Sequence, residues 1–120
     1  MTTAESLEKL AELSRRYGAD PDYVFLGGGN TSFKTDDELF IKPSGVALAT
    51  IQPGQFLKLD RAELQKVFTV ASQVTPDARE EVVKNLQLAA VRPLGAGRPS
   101  VEAPVHEIIS YKFIVHTHPA

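Results

Sequence analysis

Polar and apolar positions change period several times along the chain, and each change marks an element. Leu7, Leu10, Ala11 and Ser14 recur at the spacing of one helix face. Thr2 and Glu5 stand at capping-box separation and Tyr17-Gly18 supplies a stop, which predicts a helix over 3–17. After Pro21, Tyr23-Val24-Phe25-Leu26 predicts a short strand over 23–26 that runs into Gly27-Gly28-Gly29-Asn30. Two β-prone runs, 31–34 and 39–42, flank the acidic turn Asp36-Asp37-Glu38 and predict a hairpin. Pro43-Ser44-Gly45 closes it. The alternation of Gln55-Phe56-Leu57-Lys58-Leu59 predicts a strand over 55–59 with one wet face, and Asp60 caps a helix over 61–71. Thr75-Pro76-Asp77 opens a helix over 77–90, with Val82, Val83, Leu86 and Ala89 or Ala90 on one face. Ser100 is a natural cap for a helix over 101–109 carrying Val101, Val105, Ile108 and Ile109, and the run 112–117 is strongly β-prone. Interleaved helices and strands give an α/β class, with helices covering a central, mainly antiparallel sheet.

Length and composition narrow what such a chain can be. Its 120 residues fit one domain, since domains typically run ~100–150 residues. A formal net charge of −2 with no basic stripe disfavours a nucleic-acid partner. With no cysteine there is no disulfide framework and no thiolate metal site, so any metal must be held by histidine and carboxylate. No basic leader runs into an apolar core and no run approaches ~18 consecutive apolar residues, so no membrane span is expected and the cytoplasm is the expected compartment. The chain stops at Pro119-Ala120, directly after its most β-prone run, and is expected to be the incomplete amino-terminal portion of a larger domain.

The candidate chemistry gathers at a few positions. In His116-Thr117-His118, the period-two alternation of a strand projects both imidazoles from one face, where two nitrogens can reach one metal. The bland alternative is a pair of surface histidines. His106 follows Glu102 by four residues, which an ordinary i,i+4 helix contact explains, and Glu102 is also a normal acidic residue for a first helical turn. The glycines ahead of Asn30 would let backbone amides approach an anion, and Ser44-Gly45 and Ser100 offer further hydroxyl and amide donors, each with an equally ordinary turn or capping role. Ser32 stands where a G-x-G-x-x-G dinucleotide fingerprint needs glycine, and no P-loop pattern occurs.

Taken in order, Gly28-Gly29-Asn30-Thr31-Ser32, Lys42-Pro43-Ser44-Gly45, Arg98-Pro99-Ser100-Val101-Glu102 with His106, and Val115-His116-Thr117-His118-Pro119 closely resemble the class II aldolase/adducin family. The resemblance covers nearly the whole chain but only the amino-terminal part of that family's domain. Its wording is most similar to the aldolase portion of bifunctional rhamnulose-phosphate aldolase/dehydrogenase chains. The resemblance implies zinc-dependent aldol cleavage of a sugar phosphate through an ene-diolate, or a related epimerisation or dehydration. It implies that Gly29, Asn30, Ser44, Gly45 and Ser100 bind the substrate phosphate, that Glu102 is the general acid/base, and that His116 and His118 are two of three zinc ligands. It also implies a homo-oligomer, commonly a tetramer with sites at subunit interfaces. Two departures stand out. Val101 replaces a serine found in many members, and the third histidine ligand is absent from this chain, so the 120 residues alone are expected to be inactive unless another chain, His106 or a further segment completes the site. The alternatives are a non-catalytic adducin-like interaction module and an anion-binding domain built on the glycine loop.

Overall fold

Five short strands form one sheet in the order β4-β3-β2-β1-β5, and all four pairings are antiparallel. They are β1 (Asn30–Lys34), β2 (Glu38–Ile41), β3 (Leu57–Asp60), β4 (Val91–Arg92) and β5 (Phe113–His116). The computed structural model describes residues 2–20, 22, 29–70, 75–100 and 102–116. The expected strand over 23–26 and His118 lie outside the described residues.

One face of the sheet is covered by α1 (Thr3–Gly18), whose start is fixed as its sequence predicts: Thr2 Oγ1 accepts a hydrogen bond of 3.1 Å from the Glu5 amide. Leu10 and Ala11 of this helix pack with Phe33, Phe40, Ile51 and Phe56. Across the strands, Phe33 stacks between Phe40 at 6.0 Å and Phe113 at 5.1 Å, an aromatic ladder worth about 0.5–1.5 kcal/mol per pair beyond the area it buries. Thr31 points to the same side, where its hydroxyl meets Ser14 Oγ at 2.7 Å while Ser14 donates to the Leu10 carbonyl. Short 3₁₀ turns at Leu48–Thr50 and Pro53–Gln55 complete this layer. The second turn takes Gln55 out of the strand expected over 55–59, which begins instead at Leu57.

The opposite face carries α2 (Arg61–Leu64), α3 (Lys66–Val70), α4 (Pro76–Ala90) and α5 (Ala103–Ile108). The helix expected over 61–71 is therefore two pieces, broken at Gln65. Leu39, Ile41, Leu57 and Leu59 project toward these helices and pack with Leu64, Val67, Ala90, Val91 and Ala103. Leu39, Ile41 and Leu59 are fully buried, and each such side chain contributes roughly 1.5–3 kcal/mol. Strand β4 follows α4 without a loop, and its two residues pair with Lys58 and Leu59. Among the described residues no helix is long and apolar enough to cross a membrane.

Strand β1, between β2 and the edge strand β5, is buried along all five residues, and its alternation decides where chemistry can lie. Thr31 and Phe33 face α1. Asn30, Ser32 and Lys34 face α5, a polar row inside the sheet that must be satisfied from the other side.

Candidate functional site

Helix α5 is held against that row by polar contacts rather than by apolar ones. Ser32 Oγ and His106 Nδ1 share a hydrogen bond of 2.6 Å. Lys34 Nζ donates to the carbonyl of His106 at 2.7 Å and also to that of Ile109, so a buried ammonium caps the last turn of the helix. Burial holds the Lys34 ammonium below its ordinary pKa, against the raising effect of Glu107. At the same end Glu107 accepts from Arg61 Nε at 2.8 Å and Arg61 Nη2 at 2.9 Å, and from Gln65 Nε2 at 3.1 Å. The buried face of α5 is thus Ala103, His106 and Glu107, while its apolar Val105 and Ile108 are exposed.

The start of α5 places Glu102. Ser100 Oγ accepts from the Glu102 amide at 3.2 Å and the Ser100 carbonyl accepts from Ala103, so Ser100 builds the turn before the helix and Glu102 itself occupies the cap position. From there the carboxylate reaches across to β5, where His116 Nδ1 lies 2.9 Å from Glu102 Oε2. His116 is paired in register with Asn30 of β1, so the two side chains leave the same face of the sheet side by side. The His106 and His116 rings are 6.1 Å apart, and the donor atoms of Glu102, His106 and His116 all lie within 4.8 Å of one another.

His106 is fully buried, and burial pushes its pKa down to about 4, with Glu102 opposing and His116 and Lys34 adding to the shift. The imidazole is therefore neutral near pH 7. Its Nδ1 is engaged by Ser32, whereas Nε2 is buried with no hydrogen-bond partner among the described residues, as is Asn30 Oδ1. A buried lone-pair donor beside a carboxylate and a second imidazole is the chemistry a divalent cation of the zinc type requires, and this set fits one. Sequence reasoning favoured an ordinary i,i+4 contact for His106 and kept it only as one of several groups that could complete the site. The helix spacing from Glu102 was the available signal, but the burial that makes it a donor comes from Ser32, 74 residues away.

Lys42 is a second group that sequence reasoning passed over. It is buried, its Nζ donates to the Val46 carbonyl at 2.8 Å, and burial lowers its pKa while nearby Glu102 raises it. Glu102 is thus neighboured by an ammonium as well as by imidazoles.

The five residues expected at a phosphate lie on three adjoining segments. Gly29, with φ 96°, leads into Asn30 at the start of β1. The Lys42 amide donates to the Thr31 carbonyl at 3.2 Å, which holds the end of β2 and the following Ser44-Gly45 turn beside that start. Gly45 has φ 91°, a conformation that favours glycine. The Ser44 amide donates to the Arg98 carbonyl at 3.0 Å, bringing the turn against the segment that ends at Ser100. Ser44, Gly45 and Ser100 are thereby joined through one backbone contact, while Gly29 and Asn30 connect to them through Thr31 and Lys42.

Known proteins share this fold. Residues 8–120 match the family described as Class II Aldolase and Adducin N-terminal domain. The chain is 27% identical over 124 residues to the uncharacterized oxidoreductase YuxG of Bacillus subtilis (strain 168), an alignment that takes in 96% of this chain and 17% of that protein. It also resembles the solved structure of the N-terminal class II aldolase domain of a conserved protein from Thermoplasma acidophilum, with a TM-score of 0.77 and 30% identity over 93% of this chain and 54% of that one. The chain therefore spans about half, or less, of the length of these relatives.

Proposed function

The chain belongs to the class II aldolase and adducin family, and from that premise we propose that it carries part of the site of a zinc-dependent lyase that cleaves a carbon–carbon bond of a sugar phosphate. The observation that supports this reading best is the 2.9 Å approach of Glu102 to His116, with the unpartnered Nε2 of His106 in the same cluster. His116, together with His118, would hold the metal, and His106 is the further nitrogen this chain offers. A bound zinc ion supplies Lewis-acid stabilisation of negative charge on oxygen. Glu102 is the proton carrier: once the bond has broken, its carboxyl delivers a proton to the carbon left with the electron pair, and in the reverse direction its carboxylate removes that proton. Its contact with His116 Nδ1 keeps it oriented. Gly29, Asn30, Ser44, Gly45 and Ser100 bind the phosphate, whose oxygens would satisfy amides that only glycine backbones expose so closely.

The family's epimerisation and dehydration reactions use the same proton transfer and are the nearest alternatives. The oxidoreductase name of the Bacillus subtilis relative belongs to a protein of which this chain spans 17%, and no dinucleotide fingerprint occurs in this sequence. A cytoplasmic homotetramer with sites between subunits completes the proposal. The test is zinc calorimetry and turnover of ketose phosphates by the protein. Glu102→Gln should spare zinc and lower turnover by about 10²–10⁴-fold. His116→Ala should abolish both. Full turnover in the Gln variant, or unchanged zinc affinity in the Ala variant, would overturn this reading.

A further inference from the structure

Strand β1 holds His106 at two points. Ser32 Oγ meets the ring at Nδ1, 2.6 Å away, and Lys34 Nζ donates to the carbonyl of the same residue at 2.7 Å. Both partners leave the strand face that alternation turns toward α5. A side chain fixed through its ring and its main chain by residues of a buried strand keeps one orientation.

What that orientation presents is Nε2. The residue is fully buried, and Nε2 has no hydrogen-bond partner among the described residues. A neutral imidazole carries its proton on one nitrogen, and the hydroxyl of Ser32 can serve Nδ1 either as donor or as acceptor. If Ser32 donates, the proton lies on Nε2 and is a buried donor with nothing to receive it. If Ser32 accepts, the proton lies on Nδ1 and Nε2 offers a lone pair. Only the second arrangement gives both nitrogens a use, and that use lies close by: donor atoms of Glu102, His106 and His116 fall within 4.8 Å of one another. An ion need not cross the core to reach them, since the His116 side chain is 41% exposed while His106 lies on the inner side.

We propose that Ser32 is a positioning residue for a metal centre: its Oγ accepts the Nδ1 proton of His106, so that Nε2 coordinates the same ion as His116. The proposal rests on the lyase reading above and makes His106 a working ligand of that ion rather than a core histidine, while Glu102 keeps its role as proton carrier. Imidazole ligands favour zinc or cobalt over magnesium and calcium, which take oxygen. A hydrogen bond to the far nitrogen of a ligating histidine fixes its tautomer, and losing that bond weakens metal affinity about 10–100-fold.

The test pairs imidazole proton–nitrogen NMR with zinc calorimetry on the protein. Zinc should move His106 Nε2 to the chemical-shift range of a coordinated nitrogen while Nδ1 keeps its proton, and magnesium should leave both unmoved. Ser32→Ala should weaken zinc binding about 10–100-fold, and Ser32→Thr, which keeps the hydroxyl, should bring it back to within about threefold of the parent. A contact that merely tied helix to sheet would lower the melting temperature of the zinc-free Ser32→Ala protein and leave zinc affinity and the ring nitrogens alone. Zinc-saturated protein with the proton still on Nε2, or Ser32→Ala binding zinc within about threefold of the parent, would overturn this proposal and leave the lyase reading on His116, His118 and Glu102. Unchanged affinity in His116→Ala, or no saturable zinc binding at all, would overturn both. The nitrogen spectra require no variant, so they decide the matter even where a substitution unfolds the chain.

Discussion

Glu107→Gln isolates what the polar anchoring of α5 contributes. The carboxylate is 3% exposed and takes four hydrogen bonds, three from Arg61 through Nε and Nη2 and one from Gln65. Its hydrogen bond and charge hold the Arg61 guanidinium above its ordinary pKa despite burial. Glutamine keeps the shape but turns one of the two acceptors into a donor and leaves Arg61 with only the weaker influence of Asp36 and Asp37 as counter-charge. Breaking a buried pair from one side costs about 3–5 kcal/mol. Arg61 is 23% exposed and its Nη1 still donates to the Thr35 carbonyl at 2.6 Å, so part of that cost is relieved. We expect a loss of about 2–3 kcal/mol, which at a urea dependence of about 1.5 kcal/mol per molar moves the unfolding midpoint down by about 1.3–2 M. Urea unfolding followed by circular dichroism measures it. The companion variant Arg61→Met with Glu107→Leu removes both charges and should recover to within about 1 kcal/mol of the parent. If Glu107→Gln stays within about 0.5 kcal/mol of the parent, the pair behaves as an exposed one and the anchoring argument is wrong.

Two further predictions follow from packing and protonation. Gly18→Ala should destabilise by about 1–3 kcal/mol in thermal melts, although alanine is the better helix former, because the added Cβ would lie 2.5 Å from the Ala49 amide nitrogen and 2.6 Å from Leu48 Cβ; a stabilised variant would show that the turn yields freely. With His106 titrating near 4 when folded and near 6.5 when unfolded, the unfolded chain binds the proton first, so metal-free stability should be level above pH 6.5 and fall by about 3 kcal/mol as the pH drops to 4; His106→Gln should flatten that part of the profile, and an unchanged slope would sink the assignment.

The hairpin of β1 and β2 was readable because its evidence is local: β-prone runs on either side of an acidic turn, with Leu39 and Ile41 alternating against Phe40. Helix α1 was readable for the same reason, through its cap and its apolar period. The two residues of β4 carry no such signal, since their conformation comes from pairing with Lys58 and Leu59. Helix α5 defeats periodicity altogether. It turns Val105 and Ile108 outward and buries His106 and Glu107, because the groups that satisfy them, Ser32, Lys34 and Arg61, arrive from 46 to 74 residues away. The motif around Glu102 and His116 pointed to a shared site before any coordinates, whereas the inclusion of His106 and Lys42 depends on burial that no local pattern announces.

The alternation within β1 has an effect on how this protein can change. Asn30, Ser32 and Lys34 meet the helix that bears Glu102, while Thr31 and Phe33 meet the aromatic layer, so sliding the strand by a single residue would drive Phe33 beneath α5 and Lys34 into the phenylalanine ladder. Strand slippage and loss of the site are the same event. A deletion of one residue in the Asp36-Asp37 turn would leave every other side chain in place in the sequence and still erase both. Substitutions can therefore accumulate on the outer surface of α5, but the spacing between Asn30 and Ile41 cannot drift.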